Sequence, residues 1–138
     1  MHVSIRFQEN PESTISGNVF LSPEQNCTRL RYVVAAVDGI AVGQRAIFFR
    51  GEHWYVDHFF IAKPFRGTEV SRELRRATYR ELAKETDSFR AWIAYSVTRP
   101  ERVLEEPGRR ELGIEVTLVA ERKVAALYHF SGLQRAFP

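Results

Sequence analysis

At 138 residues and 44% hydrophobic, the chain has the size and content of one domain with a real core and no room for a second. Its formal charge is +3, but acids interleave with bases through most of the basic stretches, so nucleic acid is not an expected partner. No apolar run is long enough to cross a bilayer, MHVSIRFQ lacks the charged start and apolar block of a secretory leader, and the lone Cys27 excludes an internal disulfide; a soluble, cytoplasmic chain is expected.

Residues 2–8 (HVSIRFQ) alternate as a first strand and stop at Glu9-Asn10-Pro11. Residues 11–26 are rich in Ser, Gly, Asn and Pro, and only Ile15, Val19, Phe20 and Leu21 supply apolar surface, which predicts one short helix or an irregular cover. Residues 28–37 (TRLRYVVAAV) and 40–50 (IAVGQRAIFFR) flank Asp38-Gly39, the signal for a hairpin, with Gly43 marking a bulge. Gly51-Glu52 reverses the chain again into residues 54–62 (WYVDHFFIA), apolar on both alternate faces as a central, covered strand is.

After Lys63-Pro64-Phe65-Arg66-Gly67 the period changes to helical. Val70, Leu74, Ala77 and Leu82 share one face, Thr68 is placed to cap, and Arg72, Arg75, Arg76 and Arg80 fall largely outside the stripe. Those arginines read as a solvated face, the alternative being contact with phosphates or an acidic protein surface. A helix starting behind such a turn aims unpaired N–H groups and a positive dipole end at the strand tip, where an anion fits.

This strand, loop and helix, FFIAKPFRGTEVSRELRRATYREL, resembles the central motif of the GCN5-related N-acetyltransferases. In that family an Arg/Gln-x-x-Gly-x-Gly/Ala loop holds the pyrophosphate of acetyl-coenzyme A on backbone amides. The resemblance puts Arg66, Gly67, Thr68, Glu69, Val70 and Ser71 in the loop and Phe60 and Ala62 on the strand beside the cofactor. Glu69 stands where the family has Gly, and Ser71 where it has Gly or Ala. A carboxylate beside a pyrophosphate is repelled, by roughly 1 kcal/mol per charge pair at ~4 Å in water; paired with Arg66, Arg72 or Arg109 it would instead fill the anion site from within. VVAAVDGIAVG is also similar to the family's second and third strands, so the likeness covers about half the chain.

Residues 89–97 (FRAWIAYSV) form the next strand, parallel to 54–62 because a helix joins them. In the resembled fold these two strands splay and the gap takes the pantetheine arm. Residues 101–112 are helical with an interruption at Pro107-Gly108, Leu112-Gly113-Ile114 parallels the family's Leu-Gly-Phe, and residues 115–120 and 124–130 make a terminal hairpin. The expected fold is α/β (α+β): a single acetyltransferase-like domain over residues 1–138 with a twisted, mostly antiparallel sheet of about seven strands.

Asp57 and His58 interrupt an apolar strand and, as neighbours, are expected on opposite faces. Each reads either as a satisfied buried polar group or as the general base that an amine acceptor requires. The family's proton-returning Tyr falls at Arg109, a guanidinium that cannot give up a proton but can stabilise a thiolate. Tyr95 and Tyr128 are the substitutes considered. No metal is expected, since His53 and His58 point to opposite faces and His2 and His129 have no ligand partner at useful spacing. Two functions follow from the resemblance. One is acetyl transfer from acetyl-coenzyme A to a small-molecule or protein amine. The other is a catalytically inactive binding or structural protein, for example a phage virion component, with a protein partner or its own copies.

Overall fold

Asp38 and Gly39 both take left-handed backbone, with φ of 51° and 83°, so β2 (Thr28–Val37) folds directly back onto β3 (Ile40–Arg50). The computed structural model describes residues 1–18 and 23–138. Around the hairpin lie β1 (Val3–Gln8), β4 (His53–Ile61), β5 (Ser88–Ala94), β6 (Glu115–Glu121) and β7 (Ala125–Ser131). Among the described residues these strands make one seven-stranded sheet in the order β1-β2-β3-β4-β5-β7-β6. Every neighbouring pair is antiparallel except β4 and β5, whose parallel direction follows from the crossover helix α1 (Glu69–Ala83) between them. The expected fold class and strand set are those observed. The bulge expected near Gly43 is there as a register shift between Ala35↔Gly43 and Ala36↔Ala41.

Helix α1 covers one face of the sheet. It buries Val70, Leu74, Thr78, Tyr79, Leu82 and Ala83, while Ala77 is half-buried. Val70, Leu74 and Leu82 are fully enclosed, which is worth roughly 1.5–3 kcal/mol each. Gly43 faces this helix: a Cβ there would lie 3.2 Å from Ile61 Cγ1 and 3.5 Å from Leu74 Cδ2. The next residue, Gln44, therefore points to the other face. There it is fully buried and clamps Glu12, its Oε1 accepting from the Glu12 N–H at 2.8 Å and its Nε2 donating to the Glu12 carbonyl at 3.2 Å.

That second face is covered by residues 9–18 and 23–27, which carry neither helix nor strand, so the irregular alternative holds for the part described. Ile15 is its buried anchor. Val19, Phe20 and Leu21, expected to share that role, lie outside the described residues. On the same face the Tyr32 hydroxyl accepts from the Glu24 N–H at 3.1 Å and fixes where Glu24 emerges.

Strand β5 ends at Ala94, three residues before the expected Val97, where Val97 N–H turns back to the Ala94 carbonyl. Two short helices follow, α2 (Pro100–Glu105) and α3 (Pro107–Leu112). The break falls at Glu106 rather than on Pro107-Gly108, because a residue before proline is driven out of the helical region; its ψ is 117°. Gly113, at φ 76°, closes α3 with bonds from its own N–H to Arg110 and from Ile114 N–H to Arg109. A last helix, α4 (Leu133–Ala136), was not expected; the Asp87 carboxylate holds its start by accepting from Gly132 and Gln134 N–H.

Thr68 caps α1 as expected. Its Oγ1 accepts from Val70 N–H at 3.3 Å and donates to the Phe65 carbonyl at 2.6 Å, tying helix to loop. Thr68→Ala is expected to cost about 1 kcal/mol, read as a lower urea midpoint with unchanged slope.

Candidate active site

In the β3–β4 pairing, Ala46 faces Asp57 and Gln44 faces Phe60, so His58 and Phe59 stand against the single residue Arg45. This is a bulge, and its extra residue is His58, at φ 54°. Left-handed backbone at a side chain of this kind costs roughly 1–3 kcal/mol and is held by its surroundings. Asp57 supplies part of that hold: its Oδ1 accepts from the His58 N–H at 2.9 Å. Asp57 shares the face of its partner Ala46, which is also the face of Gln44 and Tyr32. His58 reaches Glu24, which sits on that same face. The expectation of opposite faces is therefore corrected, because the bulge inserts one residue and resets the alternation. Phe59 goes the other way, under the Arg45 guanidinium at 5.0 Å.

A bulged strand bends away from its neighbour, and β4 leaves β5 almost at once. Their pairing reduces to Tyr55↔Arg90. Beyond it the two strands diverge around a cleft of ≈ 350 Å³, within the range of small-molecule sites. Because the opening lies between strands, both faces of the sheet contribute. Asp57 and His58 line it from the side of the irregular cover; Arg45, Tyr79 and Arg109 line it from the side of α1, and Trp92 and Ile93 of β5 with Val97 of the turn after it form the remaining wall.

The two sides differ in charge. Burial pushes the Asp57 carboxyl above its ordinary range, the His58 N–H bond and His58 charge pull against it, and Glu24 adds to the rise. Burial acts on Glu24 too, but hydrogen bonds from Arg50 and His58 outweigh it and hold that carboxyl low. Glu24 thus stays a carboxylate and its Oε2 orients the His58 ring at Nε2. On the α1 side the Arg45 guanidinium is pushed down chiefly by desolvation, with the charges of Arg75 and Arg109 adding to it and Tyr79 opposing. Arg109, only 9% exposed, is lowered by the same dominant cause. Its Nε and Nη2 are buried without a hydrogen-bond partner, as is Arg45 Nε.

Of the residues singled out in the sequence, Asp57 and His58 line the cleft, and Ser71 lines an adjoining hollow with Arg45, Arg75, Tyr79 and Arg109. The loop sits apart from both. Arg66 donates to the Ile61 carbonyl at 2.9 Å and stacks over Phe60 at 5.5 Å, on the cover side, and Ala62 N–H is spent on the Val42 carbonyl at 2.8 Å. The N–H groups of Arg66 and Thr68 turn back to Lys63 and Phe65, and Val70 is core, its N–H taken by Thr68. Gly67, at φ 73°, shapes the turn, and first-turn N–H groups of Glu69 and Ser71 lack intrahelical acceptors. Glu69 pairs with none of Arg66, Arg72 and Arg109: Arg72 meets Glu73 and Arg109 meets Glu106.

Neither tyrosine proposed from the sequence reaches the cleft. Tyr95 donates to the Arg122 carbonyl at 3.0 Å, and the Tyr128 hydroxyl is enclosed in the core. Tyr79 takes that place, 2% exposed, on α1 beside Arg45 and Arg109. Glu24 was also missed; it comes from a stretch without periodicity. His129, left without a partner by spacing, packs edge-to-face on His53 at 6.0 Å and accepts from Arg90. Among the described residues no group of three or more His, Cys, Asp and Glu side chains could hold a metal ion, and no helix is long and apolar enough to cross a membrane.

No family model and no curated protein sequence matches the chain. Solved structures do. The ribosomal-protein-S18-alanine N-acetyltransferase from Escherichia coli superposes with a TM-score of 0.63, at 10% identity over 95% of this chain and 94% of that one. BjaI, a CoA-dependent acyl-homoserine lactone synthase solved with SAM and isopentyl-CoA, gives 0.62 at 11% identity over 85% of this chain; the match spans 65% of BjaI, just under two thirds of its length. PseH, an N-acetyltransferase from Campylobacter jejuni solved with acetyl coenzyme A, gives 0.53 at 11% identity over 75% of this chain and 69% of that one. At these identities the likeness is one of fold: the chain has the fold of the GCN5-related N-acetyltransferases.

The raised carboxyl of Asp57 carries a consequence for stability. A carboxyl whose folded pKa lies above its unfolded value favours the fold at pH below the unfolded value and loses that contribution as pH rises through the folded one. Asp57→Asn keeps the oxygen that accepts from His58 N–H and removes the charge. It is expected to melt higher than the parent near neutral pH, with the difference shrinking as the pH falls into the ordinary carboxylate range. Thermal melts across pH check this, and a variant that melts lower throughout contradicts it.

Proposed function

We propose that the chain transfers an acetyl group from acetyl-coenzyme A to an amine, with the cleft between β4 and β5 as the place of reaction. The observation that carries the reading is the opening through the sheet, with a carboxylate and an imidazole on one side and cationic groups on the other. Donor and acceptor can then approach from opposite faces and meet between the strands. The fold neighbours named for acyl and acetyl transfer support a CoA-type donor in general. The acetyl group and the amine belong to this proposal.

An amine attacks only after losing its proton, and a base is most effective when its pKa lies near the working pH. Asp57, raised by burial, suits that task. His58, oriented by Glu24, is placed beside it to pass the proton outward. In the proposed step the amine nitrogen bonds to the thioester carbonyl carbon while Asp57 takes a proton from it. The C–S bond then breaks, the sulfur leaves as thiolate, and the Tyr79 hydroxyl returns a proton to it. An amide and a free thiol result. Arg45 and Arg109 line the cleft beside Tyr79, on the side where the thiolate leaves.

A second reading keeps the fold as a binding or structural protein without catalysis. It is favoured by the loop, where the N–H groups of Arg66, Thr68 and Val70 already have acceptors and Glu69 adds a negative charge. Thiol release from acetyl-coenzyme A in the presence of a panel of primary amines separates the two. Turnover is expected, with Asp57→Asn lowering kcat roughly 10²–10⁴-fold. The acid limb of the parent's pH–rate profile is expected above the usual carboxylate range. Absence of both turnover and calorimetric binding of acetyl-coenzyme A at millimolar concentration leaves the scaffold reading.

A further inference from the structure

Beside the cleft, on the α1 side, a hollow of ≈ 310 Å³ brings together Arg45 from β3, Arg75 from α1 and Arg109 from α3, with the Ser71 and Tyr79 hydroxyls. Three elements distant in sequence each contribute a guanidinium. The only carboxylate that pairs with them among the described residues is Glu106, which accepts from Arg75 Nη1 at 3.0 Å and lies 3.9 Å from Arg109 Nη1. Three positive charges against one negative leave the hollow with an excess of two, in a partly desolvated place where like charges repel strongly.

The guanidiniums are also held in a particular way. Arg45 lies over the Phe59 ring at 5.0 Å and the Tyr79 ring at 5.9 Å, and Arg109 lies over Phe130 at 5.3 Å. Stacking covers the face of a guanidinium and leaves its N–H edge free to donate. Those edges are used only in part: the Tyr79 hydroxyl meets both guanidiniums, while Arg45 Nε, Arg109 Nε and Arg109 Nη2 are buried without an acceptor. A buried donor without an acceptor is unfavourable, and an anion would relieve it. Arg109, nine-tenths buried, lines both this hollow and the cleft.

The geometry points to an anion site in this hollow, formed by Arg45, Arg75 and Arg109 and taking a phosphate-type group. Phosphate fits better than a single carboxylate for two reasons. Its double charge matches the excess of two, and its several oxygens can take N–H forks from three directions, as a planar carboxylate cannot. The site adjoins the turn at Gly67 through Ser71 in the first turn of α1, but it is built from guanidiniums, whereas the N–H groups of Arg66, Thr68 and Val70 in that turn already have acceptors. It rests on the acyl-transfer reading only for the source of the phosphate: either coenzyme A brings its own, or the acceptor is a phosphorylated compound.

Inorganic pyrophosphate, titrated calorimetrically into the full chain at low salt, is the test. Saturable binding is expected, weakened by rising salt. Arg109→Gln and, separately, Arg75→Gln are each expected to weaken it by roughly tenfold, about 1.4 kcal/mol. Arg75 is half-buried at the rim, so its variant serves if Arg109→Gln fails to fold. Arg122→Gln, in the β6–β7 turn, is expected to bind as the parent does. No binding by the parent, parental affinity in both the Arg75 and the Arg109 variants, or a loss of the same size in Arg122→Gln overturns the site. Coenzyme A and pantetheine, run on the same variants, identify the source. A penalty on coenzyme A but not on pantetheine assigns the phosphate to the cofactor; a penalty on pyrophosphate alone assigns it to the acceptor, and both uphold the site. Pyrophosphate binding without coenzyme A binding upholds the site and contradicts acyl transfer. Coenzyme A binding that is indifferent to both arginines, with no pyrophosphate binding, does the reverse.

Discussion

The bulge at His58 is the constraint on which the rest of the site depends. One extra residue against Arg45 turns β4 out of register, brings Asp57 and His58 to a common face, and sends Phe59 under the Arg45 guanidinium on the other. It also bends β4 away from β5, leaving Tyr55↔Arg90 as their sole paired position. A regular strand in this place would pair further along β5 and close the sheet. The left-handed backbone of His58 is held by the Asp57 carboxylate at its N–H and by Glu24 at its ring. Asp57 thus both stabilises the bulge and lines the cleft, and Glu24 acts on the cleft through the His58 ring.

Each face of the sheet gives the cleft a different chemistry because each is covered differently. Helix α1 is a rigid, buried element, and it presents Tyr79 and Arg75 at fixed positions one helical turn apart. The opposite cover is irregular and is pinned at a few points: Gln44 grips the backbone of Glu12, Tyr32 that of Glu24, and Arg50 the Glu24 carboxylate. Buried donors without acceptors, as at Arg109 and Arg45, are costly to fold around. Such local conflicts with stability are expected where a site is built for a ligand.

The framework was legible because its signals are local. Asp38-Gly39 marks a hairpin by the backbone its two residues tolerate, and the shift from strand to helical period across Pro64-Gly67 marks the crossover that makes β4 and β5 parallel. Thr68 reads as a cap from its position alone. The site was legible only in part. Asp57 and His58 stood out as polar intrusions, but nothing in the sequence announces left-handed backbone at a histidine, so their common face was missed. Glu24 lies in a stretch without periodicity, and Tyr79 reads as one more residue of a helix. The meeting of Arg45, Arg75 and Arg109 depends on packing between β3, α1 and α3, which no spacing along the chain encodes. The break at Glu106 was displaced by one residue because the constraint acts on the residue before the proline.

The central claim is that a CoA-type ligand enters between β4 and β5 at the bulge. Backbone amide chemical-shift mapping of the labelled protein during titration with coenzyme A tests it most directly. The account predicts saturable shifts concentrated at residues 57–59 on β4 and 89–94 on β5, with Tyr79 and Arg109 among them. Shifts confined to the outer strands β1 and β6, or no saturable shift at millimolar coenzyme A, would contradict it.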